Sequence, residues 1–290
     1  MKQFTKIVDL LVFGNIYIGV CSVALVFTTY LLNGIPLHFS PAVWLVFFAT
    51  WFYYNFHHHS HHLDFGTFSQ FIDSLKKRNM NFREIIFLLI PAIGILISLI
   101  WMNLAILIAF ASLSIVSILY SIPLVKWNGR RRKIRESLLL KLPFLALTWA
   151  AATVLIPLLE NEYVIDNRQI LAQAFARALF IYGLCIPFEI RDADSEKKWG
   201  TNTLPVVYGL RITRITGILI LVFGVVLRHV ARDFLMLSPA VIFALDLSFF
   251  VAMAWIVLVK LNPPKYFCKV FVDGTMILQF VFVYLAIQSA

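Results

Sequence analysis

Long apolar runs, separated by short polar or charged connectors, dominate the chain from end to end. A helix needs roughly 20 mostly apolar residues to cross a hydrocarbon core. On that measure the sequence predicts helices near 8–32, 40–56, 84–101, 103–125, 138–159, 168–188, 211–228, 238–260 and 267–288. The second is short and runs straight into a histidine-rich segment. No strand-like alternation, low-complexity linker or soluble domain interrupts the series. The expected fold is therefore all-α, a polytopic bundle of about nine transmembrane helices forming a single domain over residues 1–290.

Composition sharpens this picture. Of the 290 residues, 61% are hydrophobic and 14% charged, and the mean hydropathy is +0.85. A soluble particle of that balance lacks the polar surface to cover itself, so the expected partner is the lipid bilayer. Cys21, Cys185 and Cys268 all fall within apolar runs without CxxC or CxxH spacing, which fits small core residues better than a disulfide or zinc framework. The N-terminal stretch MKQFTKIVDLLVFGNIYIGV lacks a small-residue cleavage site and reads as a retained first span.

The formal charge of +10 comes from loops rather than from a separate basic domain, which argues against nucleic acid as a partner. Loops 33–39 and 101–103 carry no Lys or Arg, and 160–167 carries only acids. The alternate loops carry Lys76, Lys77, Arg78 and Arg83, then Lys126 and the Arg130–Arg135 cluster, then Lys197 and Lys198. The positive-inside rule then predicts an N-terminus in the cytoplasm and a C-terminus outside, in a bacterial-type inner (plasma) membrane. Arg228 and Arg232 fall on the wrong side of that scheme. The loops after the second and sixth spans emerge on one face and can serve one site.

The loop after the sixth span reads PFEIRDADSEKKWGTNTLPVVYG, residues 187–209. Glu189, Asp192 and Glu196 are spaced i, i+3, i+7 and share a face if the helix continues through them. Acids crowded at a membrane boundary need solvent or cations. A diphosphate coordinated through Mg²⁺ is one source, because Mg²⁺ combines carboxylate with phosphate oxygens. Pairing with Arg191, Lys197 and Lys198 on a solvated helix is the other.

EIRDADSEKKWGTNTLPVVYG resembles the second aspartate-rich motif of the UbiA superfamily of intramembrane prenyltransferases, D-x-x-D-x-x-x-D followed by a basic stretch and G-x-x-T-L-P-x-x-x-G. Asp192, Gly200, Thr203, Leu204, Pro205 and Gly209 match it, and Glu189 and Glu196 stand at aspartate positions. YSIPLVK, Tyr120 to Lys126, resembles the family's tyrosine–lysine segment at the cytoplasmic end of the fourth helix. The resemblance implies a UbiA-like membrane enzyme, a transferase of prenyl groups, moving the chain from a polyprenyl diphosphate to a small aromatic or lipid acceptor. It implies Mg²⁺ as cofactor, with Glu189, Asp192 and Glu196 as ligands. Asp192, Lys126 and Tyr120 become the expected catalytic residues. Asn55, Arg191, Lys197 and Lys198 become the expected substrate contacts.

The family's first motif, N-D-x-x-D-x-x-x-D, corresponds here to NFHHHSHHLDF. Asn55 matches the asparagine, while Phe56, His59 and Leu63 occupy the acidic positions and Asp64 lies one residue beyond. Three readings follow. Asp64 and His59 act as reduced metal ligands, with Mn²⁺ then suited to imidazole better than Mg²⁺. Alternatively, the HxxxHH and HxxHH spacings resemble boxes of membrane di-iron desaturases, although the remaining histidines are only His38 and His229. Or the histidines cap a helix at a wet interface. The degenerate motif also leaves a rival function, a non-catalytic UbiA-like protein that binds an isoprenoid or quinone.

Polar residues inside spans, namely Asn15, Lys141, Arg177, Asp246 and Asp273, are expected to form structural pairs, for example Lys141 or Arg177 with Asp246 or Asp273. Trp44, Trp51 and Trp101 are expected to be interface or lipid-facing anchors.

Overall fold

A computed structural model describes residues 2–60, 81–121, 125–127, 130–132, 137–138, 140–161 and 167–289. Each of the nine predicted apolar stretches is helical over most of its described residues. Among the described residues, six helices are long and apolar enough to cross a membrane, or up to seven if one bent pair is a single span. The chain divides into two compact units, residues 1–23 with 39–135 and residues 24–38 with 136–290.

The first unit contains α1 (Lys2–Phe13), the start of α2 (Ile16–Leu32), α3 (Pro41–Ser60), α4 (Phe82–Ile100) and α5 (Leu104–Ser121). The predicted first span is broken: α1 and α2 meet at 61°, with Asn15 in the left-handed region at φ 60°. A break inside an apolar environment orphans backbone carbonyls, which need partners. Here the Trp51 indole donates to the Gly14 carbonyl at 2.9 Å, and the Asn55 amide donates to the same oxygen at 3.1 Å. Trp51 is thus buried, a correction to its expected role as an anchor. Trp44 and Trp101 are exposed as expected.

The helix predicted over 103–125 stops at Ser121. Beyond it, β1 (Val125–Trp127) and β2 (Arg130–Arg132) pair antiparallel, with Val125 opposite Arg132, Lys126 opposite Arg131 and Trp127 opposite Arg130. The sequence signal for this pairing is Asn128-Gly129 between two short runs, a strong hairpin dipeptide that a search by apolar run length does not see.

The second unit holds the end of α2, then α6 (Lys141–Glu160), α7 (Asn167–Lys198), α8 (Leu204–Val230), the short α9 (Arg232–Leu235), α10 (Pro239–Leu258) and α11 (Phe267–Gln288). The long helix α7 is its centre, packed against α6, α8 and α10, with α11 against α10. Small residues permit the close approach that packing in lipid requires. A Cβ at Gly183 of α7 would lie 2.4 Å from the Leu221 side chain of α8. Two spans carry π turns, Ala151–Leu155 in α6 and Phe267–Val272 in α11. Each widens the helix locally and frees backbone groups for other partners.

Candidate functional site

The motif segment 189–209 builds its geometry largely from backbone. The helix does continue through the acids, and α7 ends at Lys198. Gly200 stops it at φ +69°, with Gly200 N–H donating to the Lys197 carbonyl at 3.2 Å and Thr201 N–H to the Glu196 carbonyl at 3.0 Å. That pair of bonds is a Schellman stop, which a residue with a Cβ resists. Thr203, extended, precedes α8, and Pro205 sits in the helix's first turn, where its missing N–H costs nothing. Gly209 at φ 80°, ψ 165° kinks α8. The predicted span at 211–228 therefore begins seven residues early, as a short helix ahead of the kink.

On the last turns of α7, Glu189 and Glu196 both reach Lys141 at the start of α6, at 2.7 Å and 3.2 Å. Glu189 is buried, while Lys141 and Glu196 are partly buried. Asp192, between them in sequence, instead accepts a fork from Arg191, with Nε at 2.7 Å and Nη2 at 2.8 Å. The Arg191 guanidinium also lies 4.9 Å from the Phe188 ring centre. Arg191 also lies within electrostatic reach of Cys268 and Asp273 of α11, and Asp273 within that of Lys269. The cluster thus alternates carboxylates with cations across three helices.

The expected pairing of Lys141 or Arg177 with Asp246 or Asp273 is corrected. Lys141 takes the two glutamates of α7. Asp246 takes Arg228 through a short ion pair and His229 Nε2 at 2.8 Å. Arg177 bonds neutral oxygens, donating to the Leu25 carbonyl at 3.0 Å and Thr153 Oγ1 at 3.3 Å. Arg228 is 2% exposed, so it is an internal ion-pair partner and does not count as a loop charge.

Of the predicted site residues, Glu189, Arg191, Asp192, Glu196, Lys197 and Lys198 belong to the second unit, with both lysines exposed. Asn55, His59, Tyr120 and Lys126 belong to the first. Asn55 is buried in the α1–α2 bend, giving its amide hydrogens to Gly14 and Trp51 carbonyls and accepting from Asn15 at 3.3 Å. His59 lies on the last turn of α3, Tyr120 on the last turn of α5 and Lys126 on β1. The side chains of these three lie outside the described residues, as does Asp64 altogether. Cys268 is buried as expected of a small core residue, and Lys269 beside it reads in the sequence only as one lysine in an apolar run.

Among the described residues, no group of three or more His, Cys, Asp or Glu is placed to hold a metal ion. Glu189 and Glu196 nevertheless turn oxygens toward one positive charge, the Lys141 ammonium. Two such carboxylates fit the protein's share of a Mg²⁺ site whose remaining ligands are waters and phosphate oxygens. No family model, curated protein or solved structure matches this chain.

Proposed function

We propose that the charged end of α7 binds a polyprenyl diphosphate and that the protein transfers its prenyl group to a small aromatic or lipid acceptor. The observation that carries the reading is the convergence of Glu189 and Glu196 on a single cation at the end of an apolar span, 2.7 Å and 3.2 Å from Lys141 Nζ. The motif's glycines at Gly200 and Gly209 support it, because both adopt positive φ and so explain why glycine stands there.

In this mechanism Glu189 and Glu196 would hold Mg²⁺ or Mn²⁺, and the metal would supply charge neutralisation for the leaving diphosphate. The Lys141 ammonium, at the start of α6 beside both glutamates, would donate to a phosphate oxygen. Arg191, oriented by Asp192, presents N–H donors to another, and the exposed Lys197 and Lys198 guide the anion in. Breaking the allylic C–O bond leaves the electron pair on the diphosphate oxygen, where these donors stabilise it. The apolar helices keep water from the allylic cation until an acceptor attacks. On the positive-inside rule this end of α7 faces the cytoplasm.

A second reading is favoured by one observation. Lys141 already occupies the space between both glutamates as their shared ion-pair partner, as suits a protein that binds an isoprenoid or quinone without catalysis. Release of diphosphate from labelled prenyl diphosphates, measured with Mg²⁺ and Mn²⁺ in parallel, separates the two. Metal-dependent release lost in Glu189→Gln supports transfer, and no release with either metal leaves the binding protein.

A further inference from the structure

About 18 Å back along α7 from Glu189, a second polar site lies within the same unit. A cavity of about 30 Å³ is lined by Arg177, Arg228, Gln279, Phe180 and Phe249, together with leucines. Arg177 is 6% exposed, Arg228 2% and Gln279 2%. Each has a different balance of partners. Arg228 is neutralised by Asp246 and stacked over Phe249, 4.3 Å from the ring centre. The single negative charge of Asp246 is matched by Arg228, and its other oxygen takes His229.

Arg177 has no carboxylate partner among the described residues. Its bonds run to the Leu25 carbonyl, Thr153 Oγ1 and Thr29 Oγ1, which use three of the five N–H donors of a guanidinium. The π turn of α6 delivers Thr153 to it. A guanidinium held by neutral oxygens alone leaves one uncompensated positive charge in an apolar interior, which is costly. Gln279 gives its amide N–H to Ser248 Oγ at 2.8 Å, and its Oε1 is buried without a partner. The other lining amide, Gln173, is used in reciprocal bonds with Asn33 at 3.0 Å and 2.9 Å. The cavity therefore offers spare cationic donors on one side and an orphaned acceptor on the other.

We propose that this cavity binds one small monovalent anion, chloride in size and charge, beside one water. The anion accepts from Arg177 and Arg228 and supplies the missing negative charge, and the water donates to Gln279 Oε1. The volume suits two water-sized occupants and is too small for a phosphorylated headgroup. This site is independent of diphosphate binding at the far end of α7.

The test uses the full chain purified in detergent. An occupant that binds the folded state raises its melting temperature with concentration. Exchanging sodium gluconate for sodium chloride at constant ionic strength should raise Tm by about 2–4 °C in a saturable manner, and Arg177→Gln should abolish the rise. Crystals grown in bromide should show anomalous density between Arg177 and Arg228, which decides the matter even if Arg177→Gln fails to fold. Equal melting in chloride and gluconate, or a bromide map holding only water in the cavity, would overturn the proposal.

Discussion

The two ends of α7 carry charges into an apolar bundle and offset the cost differently. Toward Lys198, Glu189 and Glu196 share Lys141, and Arg191 forks onto Asp192, so charge meets charge at a boundary that solvent reaches. Toward Asn167, Arg177 is buried and its protein partners are a carbonyl and two hydroxyls. Dipoles distribute the load over several weak bonds, whereas counter-ions concentrate it in a few strong ones. An end built on exchangeable ion pairs can hand its charges to a ligand. An end built on fixed dipoles holds its charge in place.

The sharpest separation of the two ends is catalytic. Replacing Asp192 with Asn keeps the shape of the carboxylate but frees Arg191 from its fork, and diphosphate release should fall by about 10²–10³-fold, the scale of losing one preorganised charge-stabilising group. The protein should still insert and fold. Undiminished turnover would remove Asp192 and its arginine from the site.

Stability should separate the ends next. Lys141→Met strands two carboxylates, one of them 7% exposed at the side chain, and should cost about 2–4 kcal/mol. The double variant Lys141→Met with Glu189→Gln should regain much of that loss. Thr153→Val, at the other end, removes one of three shared acceptors from Arg177 and should cost about 1–2 kcal/mol. Thermal unfolding in detergent measures all three. A Thr153→Val loss as large as that of Lys141→Met would erase the proposed difference.

Gly209→Ala probes the backbone beside the charged end. Nothing lies within 4 Å of where the alanine methyl would sit, yet φ is +80°, so the cost is conformational alone, about 1–3 kcal/mol. Unchanged unfolding would mean that α8 straightens without penalty.

The histidine segment should give the smallest effect. If His59 assists the metal, Mn²⁺ should be favoured over Mg²⁺, since imidazole ranks transition metals higher. Imidazole must be neutral to bind, so this advantage should be present above about pH 6.5 and fade as pH falls through that value. His59→Ala should lower diphosphate release a few-fold more than His57→Ala. Equal rates in wild type and both variants, with plain Mg²⁺ dependence, would make the histidines a helix cap.

Apolar run length made the helices legible, because a 20-residue apolar stretch has few alternatives in lipid. The i, i+3, i+7 spacing of Glu189, Asp192 and Glu196 was only partly informative. Two of the three do reach one cation on a neighbouring helix, but the adjacent Arg191 captures Asp192. Pairing between helices was not legible: nothing in the sequence told Lys141 to meet α7 or Asp246 to meet Arg228, since such choices depend on helix rotation and depth. The break at Gly14-Asn15 was hidden for a related reason. Asn15 reads as a polar residue inside the first span and Asn55 as the asparagine of the first motif, and their joint service to one bend appears only when α3 lies beside it. The π turns leave no compositional trace either, because they respond to packing and not to local propensity.

Binding of an uncleavable prenyl thiolodiphosphate to the purified protein tests the central claim most directly, free of any question about the acceptor. The expected result is saturable binding that requires Mg²⁺ or Mn²⁺, is lost in Glu189→Gln with Glu196→Gln, and survives Asp194→Asn, whose exposed carboxylate lies on the same turns of α7. Binding that needs no metal and ignores the glutamates, or no binding at all, would contradict it.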